Sequence, residues 1–238
     1  MSESGARCWA VVPAGGKGAR MGADVPKQYL ELGGRPIIEH TLARLANHPR
    51  IAGVVVAVAA DDALWPIVQS ALPPHRVAPG GRERCHSVLN ALDTLVADAD
   101  VRDWVLVHDA ARPCLHPHDL TRLIDAAIAG TATGCILGTA VRDTLKRCDS
   151  SGVIEDTVDR THLWHALTPQ MFRLGELRQA LAGAVADGRI VTDEAQAIEL
   201  AGGTVRVVEG RADNLKITRP EDLVLAGLFL AAQTKEGR

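Results

Sequence analysis

The sequence predicts an α/β protein: a doubly wound, mostly parallel sheet flanked by helices, with a β-hairpin arm projecting from it. Three observations predict this. Short apolar runs are continuous rather than alternating, as in strands covered on both faces. Segments with helical apolar spacing lie between them. One later stretch interrupts the alternation with two strand-like runs around a polar turn. Alternating strands and helices imply a ligand crevice beyond the carboxyl ends of the strands.

In chain order, the strands are Cys8 to Val12, Gly53 to Ala59, Trp104 to Val107 and Gly134 to Ala140. Ile37, Ile38, Thr41, Leu42 and Leu45 share one helix face, as do Val88, Leu89, Leu92, Leu95 and Val96, and then Leu120, Leu123, Ile124, Ala127 and Ile128. Thr144 to Arg147 and Val153 to Val158 read as strands around the turn Asp149 to Gly152, an arm covering about residues 141–162. A two-stranded hairpin alone in water is marginal. Ile154 and Val158 share one strand face with Val153 opposite, apolar surface that a second copy would cover, so a homodimer clasped by its arms is expected. Leu174 to Asp187 and Asp193 to Ala201 read as helices and Thr204 to Val208 as a strand. Thr218 with Glu221 reads as a capping box opening the last helix.

With 238 residues, 47% of them hydrophobic, the chain can bury one sizeable core, and a single domain over 1–238 is expected. Charge is −3 and interspersed, which leaves no footprint for nucleic acid or an anionic membrane. At 3% aromatic residues there is no platform for base stacking. Five cysteines without a CxxC pair argue against a disulfide framework or a thiolate zinc site and fit a reducing compartment. Met1 to Arg7 is too short and polar for a signal peptide, and no apolar run approaches the roughly 18 residues of a span, so a cytoplasmic protein is expected.

Directly after the first strand comes Pro13-Ala14-Gly15-Gly16-Lys17-Gly18-Ala19-Arg20-Met21-Gly22, then Pro26-Lys27-Gln28. Glycines allow a tight bend and close approach of backbone N–H groups to phosphate oxygens, although a plain strand-to-helix turn has the same composition. Two familiar phosphate loops do not fit. A dinucleotide fingerprint starting at Gly16 needs glycine where Met21 stands, and a P-loop needs Ser or Thr where Gly18 follows Lys17. The distinguishing feature is Arg20 and Lys27, cations placed where nucleotide phosphates would lie.

These residues resemble the nucleotide loop of the 2-C-methyl-D-erythritol 4-phosphate cytidylyltransferases, within the wider sugar-nucleotide transferase fold. The likeness continues through Gly80-Gly81, Glu83-Arg84, Ser87-Val88, Val107-His108-Asp109-Ala110-Ala111-Arg112-Pro113 and Asp143-Thr144. It then runs through Thr157-Val158-Asp159-Arg160, Thr168-Pro169-Gln170, Thr192-Asp193-Glu194 and Asp213-Asn214-Leu215-Lys216. Two positions depart from the pattern: Gly15 replaces a common alanine, and Arg82 a residue that is often acidic.

The resemblance implies transfer of CMP from CTP to a polyol phosphate with release of pyrophosphate, a step of non-mevalonate isoprenoid precursor synthesis. A phosphate monoester with its second pKa near ~6 is mostly a dianion at neutral pH, so positioning and charge neutralisation matter more than a general base. On that ground His108→Ala is expected to be tolerable. Arg20 and Lys27 would stabilise the CTP phosphates, and Pro13, Ala14, Gly15, Gly16, Gly18, Gly81, Arg82 and Ser87 would form the nucleotide pocket. Arg160 and Lys216 would grip the second substrate's phosphate, with Ala110, Arg112, Thr144, Thr168 and Thr192 completing that pocket. Asp109, at the end of a buried strand, is well sited to hold Mg²⁺, with Asp213 as second ligand and its neighbour Asn214 as the alternative. Ser87 and Thr192 could equally serve helix starts. His116 with His118 and His162 with His165 lack carboxylate or thiolate partners at metal-ligand spacing and read as structural or surface residues. The alternatives are a transferase for another polyol phosphate, such as ribitol 5-phosphate, and a non-catalytic nucleotide-binding module. A nicotinamide dehydrogenase is disfavoured by the failed fingerprint.

Overall fold

A computed structural model describes residues 6–16 and 25–236. The elements are β1 (Cys8–Pro13), β2 (Glu31–Leu32), β3 (Arg35–Pro36), α1 (Ile37–Ala46), β4 (Ile51–Val58), α2 (Trp65–Val68), β5 (Arg76–Pro79), α3 (Arg84–Leu95) and β6 (Trp104–Val107). They continue with α4 (Pro117–Ala129), β7 (Gly134–Ala140), β8 (Leu145–Cys148), β9 (Ile154–Val158), β10 (Trp164–Arg173), α5 (Leu174–Ala186), α6 (Glu194–Leu200), β11 (Val205–Glu209) and α7 (Pro220–Glu236).

The central sheet has seven strands in the order β11-β7-β10-β6-β1-β4-β5, all parallel except β10. Its strands are apolar without interruption because both faces are covered. Ala10, Val12, Val54, Val56 and Leu106 point into a core shared with Ile38 and Leu42 of α1 and Leu120 and Ile124 of α4. Trp9, Val11, Val55, Val105 and Val107 point the other way, against Leu92 of α3, Leu177 of α5 and Ile198 of α6. Val96 and Ile128, which periodicity assigns to buried faces, lie at helix ends and are partly exposed.

Strand β10 has no counterpart in the sequence reading. Pro169 interrupts it, and a residue without an N–H normally argues against an interior strand. The structure accommodates the proline at an irregularity, where the β7 register shifts between Ala166 and Gln170. The final helix also starts differently from expectation. Asp222, not Glu221, caps it: its Oδ2 accepts from Thr218 N at 2.8 Å, Thr218 Oγ1 at 2.9 Å and Arg219 N at 2.9 Å. A carboxylate one residue later faces back over the turn, whereas Glu221 points to solvent beside Arg219.

β8 and β9 form the expected hairpin, pairing only with each other. Its turn is closed by Asp149 Oδ1, which accepts from Ser151 N and Val153 N, while Gly152 takes the left-handed φ of 87° that the turn demands. Val153 and Ile154 are 62% and 58% exposed, so the isolated chain leaves most of the arm's apolar surface in water. Among the described residues, no helix is long and apolar enough to cross a membrane.

Candidate active site

A cavity of about 490 Å³ opens where β1, β4, β5 and β6 end. Size does not single it out, because clefts of about 600 and 530 Å³ lie beside α1 and α7 and between α5 and α6. Its chemistry does. Loop backbone from Pro13 to Gly16 and from Gly81 to Glu83 meets Lys27, Arg84, Lys216 and the carboxylate of Asp109.

The described part of the glycine-rich loop is anchored on both sides. Ala14 N donates to Ala57 O at 2.8 Å, and Gln28 Nε2 donates to Ala14 O at 2.8 Å. Lys27 Nζ reaches Ile217 O at 3.2 Å, which ties the loop to the segment carrying Lys216. Pro13, Ala14, Gly15 and Gly16 line the cavity. Gly18 and Arg20 lie outside the described residues.

Across the cavity, Glu83 caps α3 in a reciprocal box with His86. Ser87 is therefore inside the helix and not its cap. Its buried hydroxyl donates to Glu83 O and accepts from Gly81 N at 2.9 Å, fixing the adjoining loop. Gly81 cannot be replaced without movement, since a Cβ there would lie 2.3 Å from His86 Cβ. Arg82 also lines the cavity, with its side chain exposed.

Asp109 follows β6 and is ringed by cations. Arg84 Nε lies 3.1 Å from Oδ1, while Lys216 Nζ and Arg112 Nε lie 2.9 and 3.4 Å from Oδ2. Burial by itself would raise this carboxyl's pKa, but the positive charges of Arg84, Lys216 and Arg112 outweigh it and hold the group far below the carboxylate range. Its backbone N–H donates to Thr168 Oγ1 at 3.1 Å, so β10 sets its position. The same hydroxyl meets His108 Nδ1 at 2.9 Å, and His108 Nε2 meets Arg112 O at 3.0 Å. Burial pushes the His108 pKa down to about 4. A neutral ring with Nε2–H donating to the carbonyl and Nδ1 accepting from Thr168 satisfies every partner. His108 is thus a fully buried strut, and His108→Ala would leave Thr168 Oγ1 and Arg112 O without their ring partner, so the expected tolerance of that change does not follow from the chemistry alone.

The second-substrate residues are divided. Ala110 and Lys216 line the cavity, and Arg112 and Thr168 support it from behind; Arg112 Nη1 donates to Asn214 O at 2.7 Å. Thr144 and Arg160 are exposed on the arm, where Arg160 Nη1 bonds Arg142 O, and neither lines the cavity of its own chain. Thr192 is exposed too. It is not a helix cap: Asp193 caps α6, and Thr192 N and Oγ1 both donate to Gln196 Oε1.

The expected metal ligands are also separated. Asp109 lines the cavity, whereas Asp213 is held by Arg211 and by Gln233 Nε2 and is not among the lining residues. Asn214 is buried with Nδ2 donating to Thr168 O. No group of three or more His, Cys, Asp or Glu could hold a metal among the described residues. Of the two carboxylates expected to hold a metal, Asp109 is the one that lines the cavity.

Two residues that the sequence reading gave no role belong to this assembly: Arg84, and Glu194, which it binds through both terminal nitrogens. Both lie within motifs that carry the resemblance, Glu83-Arg84 and Thr192-Asp193-Glu194. Only their charge could have marked them, since the contact spans 110 residues.

Comparison with known proteins places this geometry. A curated relative from Ectopseudomonas mendocina (strain ymp), a 2-C-methyl-D-erythritol 4-phosphate cytidylyltransferase, is 59% identical over 217 residues, 90% of this chain and 92% of its own. One of the same description from Aeromonas hydrophila is 57% identical over 225 residues, 94% of this chain and 90% of its own. The crystal structure of the Francisella tularensis enzyme of that description is 32% identical, with a TM-score of 0.81 over 94% of this chain and 100% of that one. The family model described as 2-C-methyl-D-erythritol 4-phosphate cytidylyltransferase matches residues 8–232. With the family model covering residues 8–232 and relatives well over half identical along nearly the whole chain, the chain belongs to the 2-C-methyl-D-erythritol 4-phosphate cytidylyltransferase family.

Proposed function

We infer that the chain transfers CMP from CTP to 2-C-methyl-D-erythritol 4-phosphate, giving 4-diphosphocytidyl-2-C-methyl-D-erythritol and pyrophosphate in the non-mevalonate isoprenoid route. The observation that carries this is the convergence of Ala14, Gly81, Ser87, Lys27, Asp109 and Lys216, separate in sequence, on one cavity at the strand ends. A phosphate oxygen of the polyol phosphate attacks the α-phosphorus of CTP. The bond from that phosphorus to the bridging oxygen breaks, and its electrons leave with pyrophosphate.

The residue roles are those the family resemblance implies, and the chemistry is consistent with them. The Ala14–Gly16 and Gly81–Arg82 backbone holds the base and distinguishes the cytosine amino group by pairing it, leaving a uracil carbonyl unpaired. Lys27 and Arg20 neutralise the triphosphate, and Lys216 takes the incoming phosphate. Asp109 would hold Mg²⁺, which when bound supplies further neutralisation of phosphate charge. The whole chain acts as one nucleotidyltransferase domain with residues 141–162 as a dimerisation arm. Exposed Val153 and Ile154 give the arm an apolar surface for a second copy, and Thr144 and Arg160 would then serve the partner's cavity. A cytoplasmic site of action fits the bacterial relatives.

The test is pyrophosphate release from CTP and Mg²⁺ with a panel of polyol phosphates. Methylerythritol phosphate should be the best substrate. Faster turnover of ribitol 5-phosphate would move the assignment to that substrate.

A further inference from the structure

A buried ionic contact behind the cavity has no part in the chemistry above. Glu194 opens α6, is fully buried and does not line the cavity. Its carboxylate accepts from Arg84 Nη1 at 2.6 Å and Nη2 at 3.0 Å, a bidentate pair. The remaining edge of the same guanidinium, Nε, donates to Asp109 Oδ1 at 3.1 Å. Glu194 itself is set from β10. Gln170, 1% exposed, donates through Nε2 to Asp193 Oδ2 at 2.9 Å and accepts from Ala195 N at 2.9 Å, gripping the residues on either side.

Stability alone does not account for such a contact, because a buried ion pair is often no better than an apolar pair of the same volume. Its geometry has a consequence in the cavity. With its two terminal nitrogens aimed at Glu194, Arg84 meets Asp109 through Nε at Oδ1, and Asp109 Oδ2 is directed at Lys216. Without that carboxylate, the arginine fork would be free to close on both oxygens of Asp109 or to turn towards bound phosphates. We propose that Glu194 is a positioning residue for nucleotidyl transfer, acting through Arg84 to fix the orientation of Asp109 without touching substrate.

This inference rests on the proposed reaction, and its test separates the two. Melting temperature, kcat and the KM for CTP would be measured for the parent protein, Glu194→Gln and the double variant Arg84→Met/Glu194→Met. The apolar pair should melt within a few degrees of the parent, yet lose at least about tenfold in kcat, as misplacement near a reacting centre does. Glu194→Gln should fall to a similar kcat. The KM for CTP should stay within about threefold, since the Ala14 and Gly81 backbone that would bind the base does not contact Glu194. A folded double variant with parental kcat would reduce the pair to a structural role and overturn the proposal. If the double variant does not melt cooperatively, Arg84→Lys decides, because it keeps the charge and loses the fork: parental kcat there also overturns the proposal. A parent protein that makes no pyrophosphate from CTP and methylerythritol phosphate sinks the reaction itself, before any variant is compared.

Discussion

Lys216 Nζ lies 2.9 Å from Asp109 Oδ2, so the cation proposed for the incoming phosphate is paired with the carboxylate proposed for the metal. An arriving phosphate dianion must therefore compete with Asp109 for this lysine. Lys216→Ala should lower kcat/KM for methylerythritol phosphate by at least about 100-fold, the scale of one preorganised charge-stabilising donor. The fold should persist, because Asp109 keeps Arg84 and Arg112 as partners. Steady-state kinetics with circular dichroism checks both halves, and an active Lys216→Ala enzyme would remove the lysine from the site.

His108 should make the protein acid-sensitive above the range where carboxylates titrate. Its folded pKa is about 4 because of burial, whereas in the unfolded chain it takes up a proton near pH 6.5. The unfolded state binds more protons between those values. The contribution is therefore fully present above about pH 6.5 and is lost as pH falls to about 4, by up to roughly 3 kcal/mol. Burial lowers His40, His48 and His116 as well, so the diagnostic is a difference. The slope of melting temperature against pH in this window should be shallower in His108→Asn than in the parent, and equal slopes would contradict the assignment.

Asp222, and not Glu221, should stabilise the start of α7. Asp222→Ala removes the acceptor of three hydrogen bonds and should cost about 1 kcal/mol, as loss of a helix cap does. Glu221→Ala, which loses only a 3.9 Å contact with Arg219, should change stability by less than about 0.5 kcal/mol. Urea melts of the two variants give the comparison. The reverse order would restore the capping box expected from the sequence.

Arm exchange predicts complementation between dead subunits. Arg160→Ala and Lys216→Ala should each be inactive alone, and mixing them under conditions of subunit exchange should recover activity, because each heterodimer rebuilds one site. Ile154→Glu, which places a charge on the exposed arm face, should shift the protein towards monomer in light scattering. Verified exchange without recovery, or a parent protein that is monomeric, would rule out a shared site.

The sequence alone determined the parallel strands β1, β4, β6, β7 and β11, the long helices beside them and the hairpin, because each is written in local order, whereas the short β5 carries no such apolar run. Continuous apolar runs mark strands buried on both faces, as Val11 and Val12 show by entering opposite cores. The tertiary structure decided the rest. Strand β10 was hidden because Pro169 and Gln170 break an apolar pattern, yet only this antiparallel strand, lying between β6 and β7, brings Thr168 to Asp109 and Gln170 to the start of α6. The same holds for the separation of Asp213 from the cavity and for the line from Glu194 through Arg84 to Asp109. Periodicity and motif spacing describe neighbours along the chain. Which charge faces which across 25 or 110 residues is fixed by strand order and register, and no local pattern encodes that.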